Sequence, residues 1–205
     1  MKWFIITSNA GTKIVPIQKW LFRKYLPDVR PTWIDLGGKH TLNWCKNVAN
    51  EIESNKPTSS IVMLLDDHLL LDRVVRSISM PNGLERLELG HTYSHHNNTT
   101  DTGDFFKRYN NDTLYKVSTQ PSIWNTEALI RVLRKVDGDP WMFEKKGTCT
   151  AGIVKEPVMT FIAESAISKR RPGKVNCNGM KQEDIDELIE KKLLNKDDIV
   201  YTWKI

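Results

Sequence analysis

The first seventy residues switch between two hydrophobic periods, and that switching limits the architectures open to the chain. Residues 2–7, Lys-Trp-Phe-Ile-Ile-Thr, are a continuous aromatic and β-branched run that stops at the polar turn Ser8-Asn9-Ala10-Gly11, as a buried strand does. The period then changes to that of a helix. Thr12 is placed to cap it, Pro16 lies near its first turn, and Ile14, Ile17, Leu21 and Tyr25 share a face until Pro27 stops it. A second strand, Thr32 to Leu36, ends in Gly37-Gly38. Thr41 is placed to cap a second helix with Leu42, Cys45, Ala49 and Ile52 on one face, and a third strand, Ser60 to Leu65, ends in Asp66-Asp67-His68. A β-α-β-α-β order this short predicts right-handed crossovers and a mostly parallel central sheet with helices on both faces, an α/β fold. In such sheets ligands bind at the carboxyl ends of the strands, where Thr7-Ser8-Asn9, Asp35 and Asp66-Asp67-His68 fall.

Beyond residue 70 the pattern predicts a strand over Leu84–Leu89, a long polar loop over His91–Asp112 and a short strand over Tyr115–Ser118. Asn125 should cap a helix using Leu129, Val132, Leu133 and Val136. A strand over Val158–Ser165 and an amphipathic helix over Glu183–Leu194 complete the reading. No repeat or linker divides the 205 residues, so a single domain is expected, with a ligand-binding half over 1–70 and a second half over 84–175.

Composition narrows the function classes. With 40% hydrophobic and 27% charged residues the chain is neither disordered nor fibrous. Cys45, Cys149 and Cys177 are too scattered for a disulfide scaffold and contain no CxxC pair, which suits a reducing, cytoplasmic compartment. The longest apolar run, Ile61–Leu65, is far short of the ~20 residues of a membrane span. The sequons at Asn97, Asn98 and Asn111 therefore read as polar loop. Net charge +5 divides into +5 over residues 1–60, −2 over 61–168 and +2 over 169–205, and no nucleic-acid-binding module accompanies it. The basic cluster Lys169-Arg170-Arg171-Pro172-Gly173-Lys174 is a solvated loop or a phosphate-facing one. Gly11, Gly37 and Gly38 fit neither GxGxxG nor GxxxxGK[ST], which argues against a dinucleotide enzyme or a P-loop NTPase.

Asp66-Asp67-His68 is the sharpest chemical feature. Two carboxylates at the end of a buried strand repel one another unless a cation or protein donors compensate. Carboxylate and imidazole suit Mn²⁺ or Mg²⁺ bridging two phosphates; the plainer reading is a capping pair after a strand.

A hydrophobic strand ending in an acidic triplet resembles the DxD signature of GT-A glycosyltransferases, here in a DxH form. Val117-Ser118-Thr119-Gln120-Pro121-Ser122-Ile123-Trp124-Asn125 and then Pro140-Trp141-Met142-Phe143-Glu144 resemble the "SxQPxxW…PWxFE" pattern of small glycosyltransferases from microbial polysaccharide loci and large algal DNA viruses. The resemblance spans residues 2–175. It implies a GT-A fold and a metal-dependent transfer of a hexose or deoxyhexose from a nucleotide-diphosphate sugar, UDP-linked, to a carbohydrate acceptor, with inversion. Thr7, Asp35, Asp66 and Asp67 would contact the nucleotide, and Asp66 and His68 the metal. Host cytoplasm is the implied location if the source is viral. Glu144 is the implied base, its apolar neighbours raising its proton affinity, and the alternative is a helix-end glutamate paired with Lys145 or Lys146. Gln120, Trp124 and Trp141 suit sugar recognition, since indole faces stack on pyranose C–H faces. Trp3, Trp20 and Trp33 read as core residues.

His91, His95 and His96 form either a mobile polar loop, a lid over the donor, or a zinc site, and Asp101 and Asp104 could meet an acceptor. Two rival functions stay open, a metal-dependent phosphohydrolase and a non-catalytic carbohydrate- or nucleotide-sugar-binding module.

Overall fold

The computed structural model describes residues 1–7, 14–36, 43–72, 78–90, 98–160 and 174–201. Thr12, Gly37, Gly38, Thr41 and the three loop histidines lie outside these residues, as do 161–165 of the expected late strand and most of the basic cluster.

Among the described residues, eight strands between positions 2 and 154 form one sheet. β1 (Lys2–Thr7), β2 (Thr32–Asp35) and β3 (Ser60–Leu65) are parallel, with Phe4 opposite both Thr32 and Met63. β4 (Arg86–Glu88), β5 (Thr99–Asp101), β6 (Phe106–Tyr109), β7 (Ser122–Asn125) and β8 (Ala151–Val154) complete the order β2-β1-β3-β7-β4-β8-β6-β5. The second half departs from the expected parallel winding. β7 is antiparallel to both β3 and β4, β4 and β8 are parallel, and β6 is antiparallel to β8 and β5, so the sheet is mixed. The expected polar loop over 91–112 holds the β5–β6 edge hairpin. The strand expected over Tyr115–Ser118 is a turn with Tyr115 at φ 58°, and Val158–Thr160 is not a strand. β8, with its Gly152, was missed.

Helices cover both faces, because alternate strand residues point to opposite sides. Ile5, Val62, Leu64, Leu87 and Ile123 meet α1 (Ile14–Tyr25) and α5 (Gln182–Glu190). Phe4, Ile6, Ile61 and Met63 meet α2 (Trp44–Ser54), α3 (Thr126–Lys135) and α4 (Pro140–Lys146). Local chemistry sets the helix starts. Asn125 accepts from the Ala128 N–H at 2.9 Å with Glu127 in the first turn of α3, and Asp139 accepts from the Met142 N–H at 2.9 Å with Pro140 opening α4. A small parallel pair, β9 (Val175–Asn176) and β10 (Ile199–Val200), packs with α5 against the α1 side. Among the described residues no helix is long and apolar enough to cross a membrane.

Candidate functional site

The carboxyl ends of the parallel strands meet at one edge. Thr7 is opposite Asp35 in the β1–β2 register, and the Asp66 N–H donates to Ile6 O at 3.0 Å, so Asp35, Thr7 and Asp66 stand side by side. The antiparallel placement of β7 brings its amino end to the same edge, with Ser122 opposite Met63. Gln120 and Pro121 therefore arrive beside the acidic triplet from a segment more than fifty residues away.

Each expected site residue takes a definite position. Asp66 is 4% exposed; its Oδ2 has no hydrogen-bond partner among the described residues, while the Thr7 hydroxyl donates to its carboxylate. Burial pushes the Asp66 carboxyl up to about 6, with the Thr7 hydrogen bond opposing and the Asp67 charge adding to the rise. His68 is buried, with Nδ1 3.1 Å from Asp67 Oδ1. Burial works to lower the imidazole, yet Asp67, followed by Glu144 and a hydrogen bond that the ring donates to Gln120, holds it above its ordinary value. Thr7 is itself buried, with its hydroxyl turned to Asp66. Asp35 is exposed at the end of β2.

Glu144 faces this cluster from α4. Its Oε1 accepts from the Thr119 N–H at 2.8 Å, the Thr119 hydroxyl at 2.8 Å and the Ser118 hydroxyl at 3.3 Å, and Oε2 has no hydrogen bond among the described residues. This collar replaces the apolar pocket expected from Pro140 to Phe143, and it excludes a simple pairing with Lys145 or Lys146. Lys145 instead lies 5.6 Å over the Trp141 ring. Ser118 and Thr119 were missed as holders of the carboxylate, although both sit in the Ser-Thr-Gln-Pro stretch that marked the segment.

The two tryptophans part company. Trp141 is 58% exposed, a surface able to stack on a sugar. Trp124 is fully buried beside Phe143, with ring centroids 6.0 Å apart and the Arg86 guanidinium 5.8 Å from its ring. It has no face open to a ligand, so its expected place in sugar recognition is corrected to core packing. Asp101 pairs with Lys155 at 2.6 Å in the edge hairpin, and Asp104 is exposed. Gln18, also unforeseen, crosses from α1 with Nε2 3.0 Å from His68 O and 3.4 Å from Leu65 O, tying down the turn that carries the triplet.

The donor set can be compared with what a divalent cation needs. Among the described residues no group of three or more His, Cys, Asp and Glu side chains is spaced to enclose an ion. Asp66 Oδ2, buried and without a partner, does fit one ligand position. Asp67 stands against His68 Nδ1 and Gln120 also hydrogen-bonds the ring, which is held toward its protonated form, so His68 would become a ligand only by releasing a proton and that contact. The residues fit a cation that takes few protein ligands and fills its remaining positions from a bound oxyanion.

No protein-family model matches the chain, and no curated protein matches it in sequence.

Proposed function

We propose that this protein is a GT-A-type glycosyltransferase that moves a hexose or deoxyhexose from a nucleotide-diphosphate sugar, UDP-linked, to a carbohydrate acceptor with inversion. The observation that carries the reading is the convergence of a buried Asp66, one oxygen of which has no hydrogen-bond partner among the described residues, with a collared Glu144 on one edge of the sheet. Asp66 and His68 would hold Mn²⁺ or Mg²⁺, which when bound supplies positive charge against the departing diphosphate. Asp67 orients His68, and Thr7 steadies Asp66. Glu144 Oε2 takes the acceptor hydroxyl proton as the new C–O bond forms at the anomeric carbon and the bond to the diphosphate breaks. Oε1 is held by three donors, so the carboxylate presents one fixed oxygen. Trp141 offers a stacking surface to the acceptor.

The test is thermal stability with UDP, GDP and dTDP sugars, with and without Mn²⁺, followed by transfer assays on Glu144→Gln. A donor at a hundredfold excess over Kd stabilises the folded state by about 2.7 kcal/mol. Glu144→Gln should keep that shift and lose ~10²–10⁴ in kcat. If no nucleotide sugar shifts the melting, or if the variant transfers at the native rate, the proposal fails.

A further inference from the structure

Two concave grooves, ≈ 740 Å³ and ≈ 620 Å³, run along the outer side of α1 and share Lys19 and Arg23 in their walls. The first continues from Val15 and Pro16 in the opening turn of α1 to Lys191 and Leu193 beyond α5; the second continues to Arg30, Pro31 and Trp33. α1 follows β1, so its opening turn lies at the same edge of the sheet as Asp66, and Gln18 on its inner side holds the His68 turn. The grooves therefore lead away from the candidate site.

Their charge is one-sided. Five cations, Lys19, Arg23, Lys24, Arg30 and Lys191, line the two grooves against a single acid, Glu187. Lys24 is committed to Asp184 at 2.7 Å and Glu187 at 2.9 Å, and Lys191 lies 3.7 Å from Glu187. Lys19, Arg23 and Arg30 have no carboxylate within ion-pair distance among the described residues. Lys19 and Arg23 are one helical turn apart, about 6 Å along the axis. Between the cations the accessible walls are apolar, with Pro16 and Leu193 in one groove and Val29 and Pro31 in the other, and Val15 and Phe22 buried behind them.

We propose that the paired grooves bind an acidic polysaccharide, its uronate carboxylates on Lys19, Arg23 and Arg30 and its sugar C–H faces on the apolar walls. The alternation of charge and apolar wall selects this ligand. Polyphosphate has no apolar face to cover. A nucleic-acid strand needs open aromatic faces on which bases stack, whereas Trp20 is buried and the Trp20 and Trp33 rings carry Lys24 at 4.7 Å and Lys19 at 5.0 Å. A bilayer needs protruding apolar residues, and none of the exposed large hydrophobic residues lines either groove. That the bound polymer is also the acceptor rests on the transferase reading; the binding itself does not.

Fluorescence anisotropy with labelled polygalacturonate, without any donor, tests the inference. Binding should weaken as salt rises and vanish for the fully methyl-esterified polymer. The double variant Lys19→Glu/Arg23→Glu should lose at least tenfold in affinity at an unchanged melting temperature, and Lys19→Gln/Arg30→Gln should lose less. Equal binding of the ester, an unchanged affinity in both double variants, or tighter binding of polyphosphate, polyglutamate, single-stranded RNA or anionic vesicles at equal charge would overturn it. The nucleotide-sugar melting shift, measured on the same Lys19→Glu/Arg23→Glu protein, separates the two ideas. Retained shift with lost polymer binding supports both, polymer binding by the native protein without any donor shift refutes the transferase alone, and a donor shift without polymer binding refutes the grooves alone.

Discussion

Replacing Asp66 by asparagine should stabilise the metal-free protein at neutral pH. The carboxyl is buried and its ordinary value of 3.8 is raised to about 6 in the folded state. Between those values the folded protein retains a proton that the unfolded chain has released, so stability falls as pH rises from about 4 to about 6 and is flat above. The cost of carrying the charge at pH 7 is then about 3 kcal/mol, an upper bound because local relaxation reduces it. The substituted amide keeps an oxygen for the Thr7 hydroxyl and removes the charge. In chelator, the melting temperature of Asp66→Asn at pH 7.5 should exceed the native by up to roughly 7 °C, and the difference should shrink towards zero at pH 4. Mn²⁺ should raise the melting temperature of the native protein and leave that of Asp66→Asn unmoved, since a cation recovers the cost only where there is a charge to meet. Parallel melting curves for the two proteins from pH 4 to pH 8, or a less stable Asp66→Asn at neutral pH, would refute the reasoning.

The tryptophans and one glycine supply further checks. Trp124→Ala should lose about 3–5 kcal/mol in urea unfolding, whereas Trp141→Ala should unfold as the native does and lose affinity for acceptor only. A Cβ at Gly147 would stand 2.5 Å from Phe143 O and 2.7 Å from Val117 Cγ1, so Gly147→Ala must part α4 from the segment that collars Glu144. About 1–3 kcal/mol of stability and most of the transfer activity should go together, and an unchanged unfolding midpoint would contradict the packing.

The sequence was most informative where spacing and burial act over short distances. β3 ends where the apolar run ends, Asn125 caps α3, and the helical face of α1 is the one its period marks, because each depends on neighbours a few residues away. The antiparallel insertion of β7 between β3 and β4 is set by partners some sixty residues away in β3 and some thirty-five away in β4, and the four-residue runs of β6 and β8 carry no period long enough to announce them. The same division holds at the site. The acidic triplet and Glu144 were visible as residue types in telling places, whereas Trp124 and Trp141 look alike in sequence and differ only in which side of α4 and the sheet they meet. The Thr119 collar and Gln18 act through distances that only the folded chain brings within reach.

The position of β7 also bears on how the chain is made. Ser60 waits for Asn125, and at 5–20 residues per second a ribosome needs roughly 3–13 s to deliver it. During that interval Ile61, Val62, Met63 and Leu64 form the rim of a three-stranded fragment with unsatisfied amides along its length, a template for self-association. Asp66 leaves the exit tunnel before Glu144 exists, so a nascent or truncated product carries one half of the candidate site and a sticky flank. Yield of intact protein should depend on holdase chaperones that shield this flank until residue 125 has emerged.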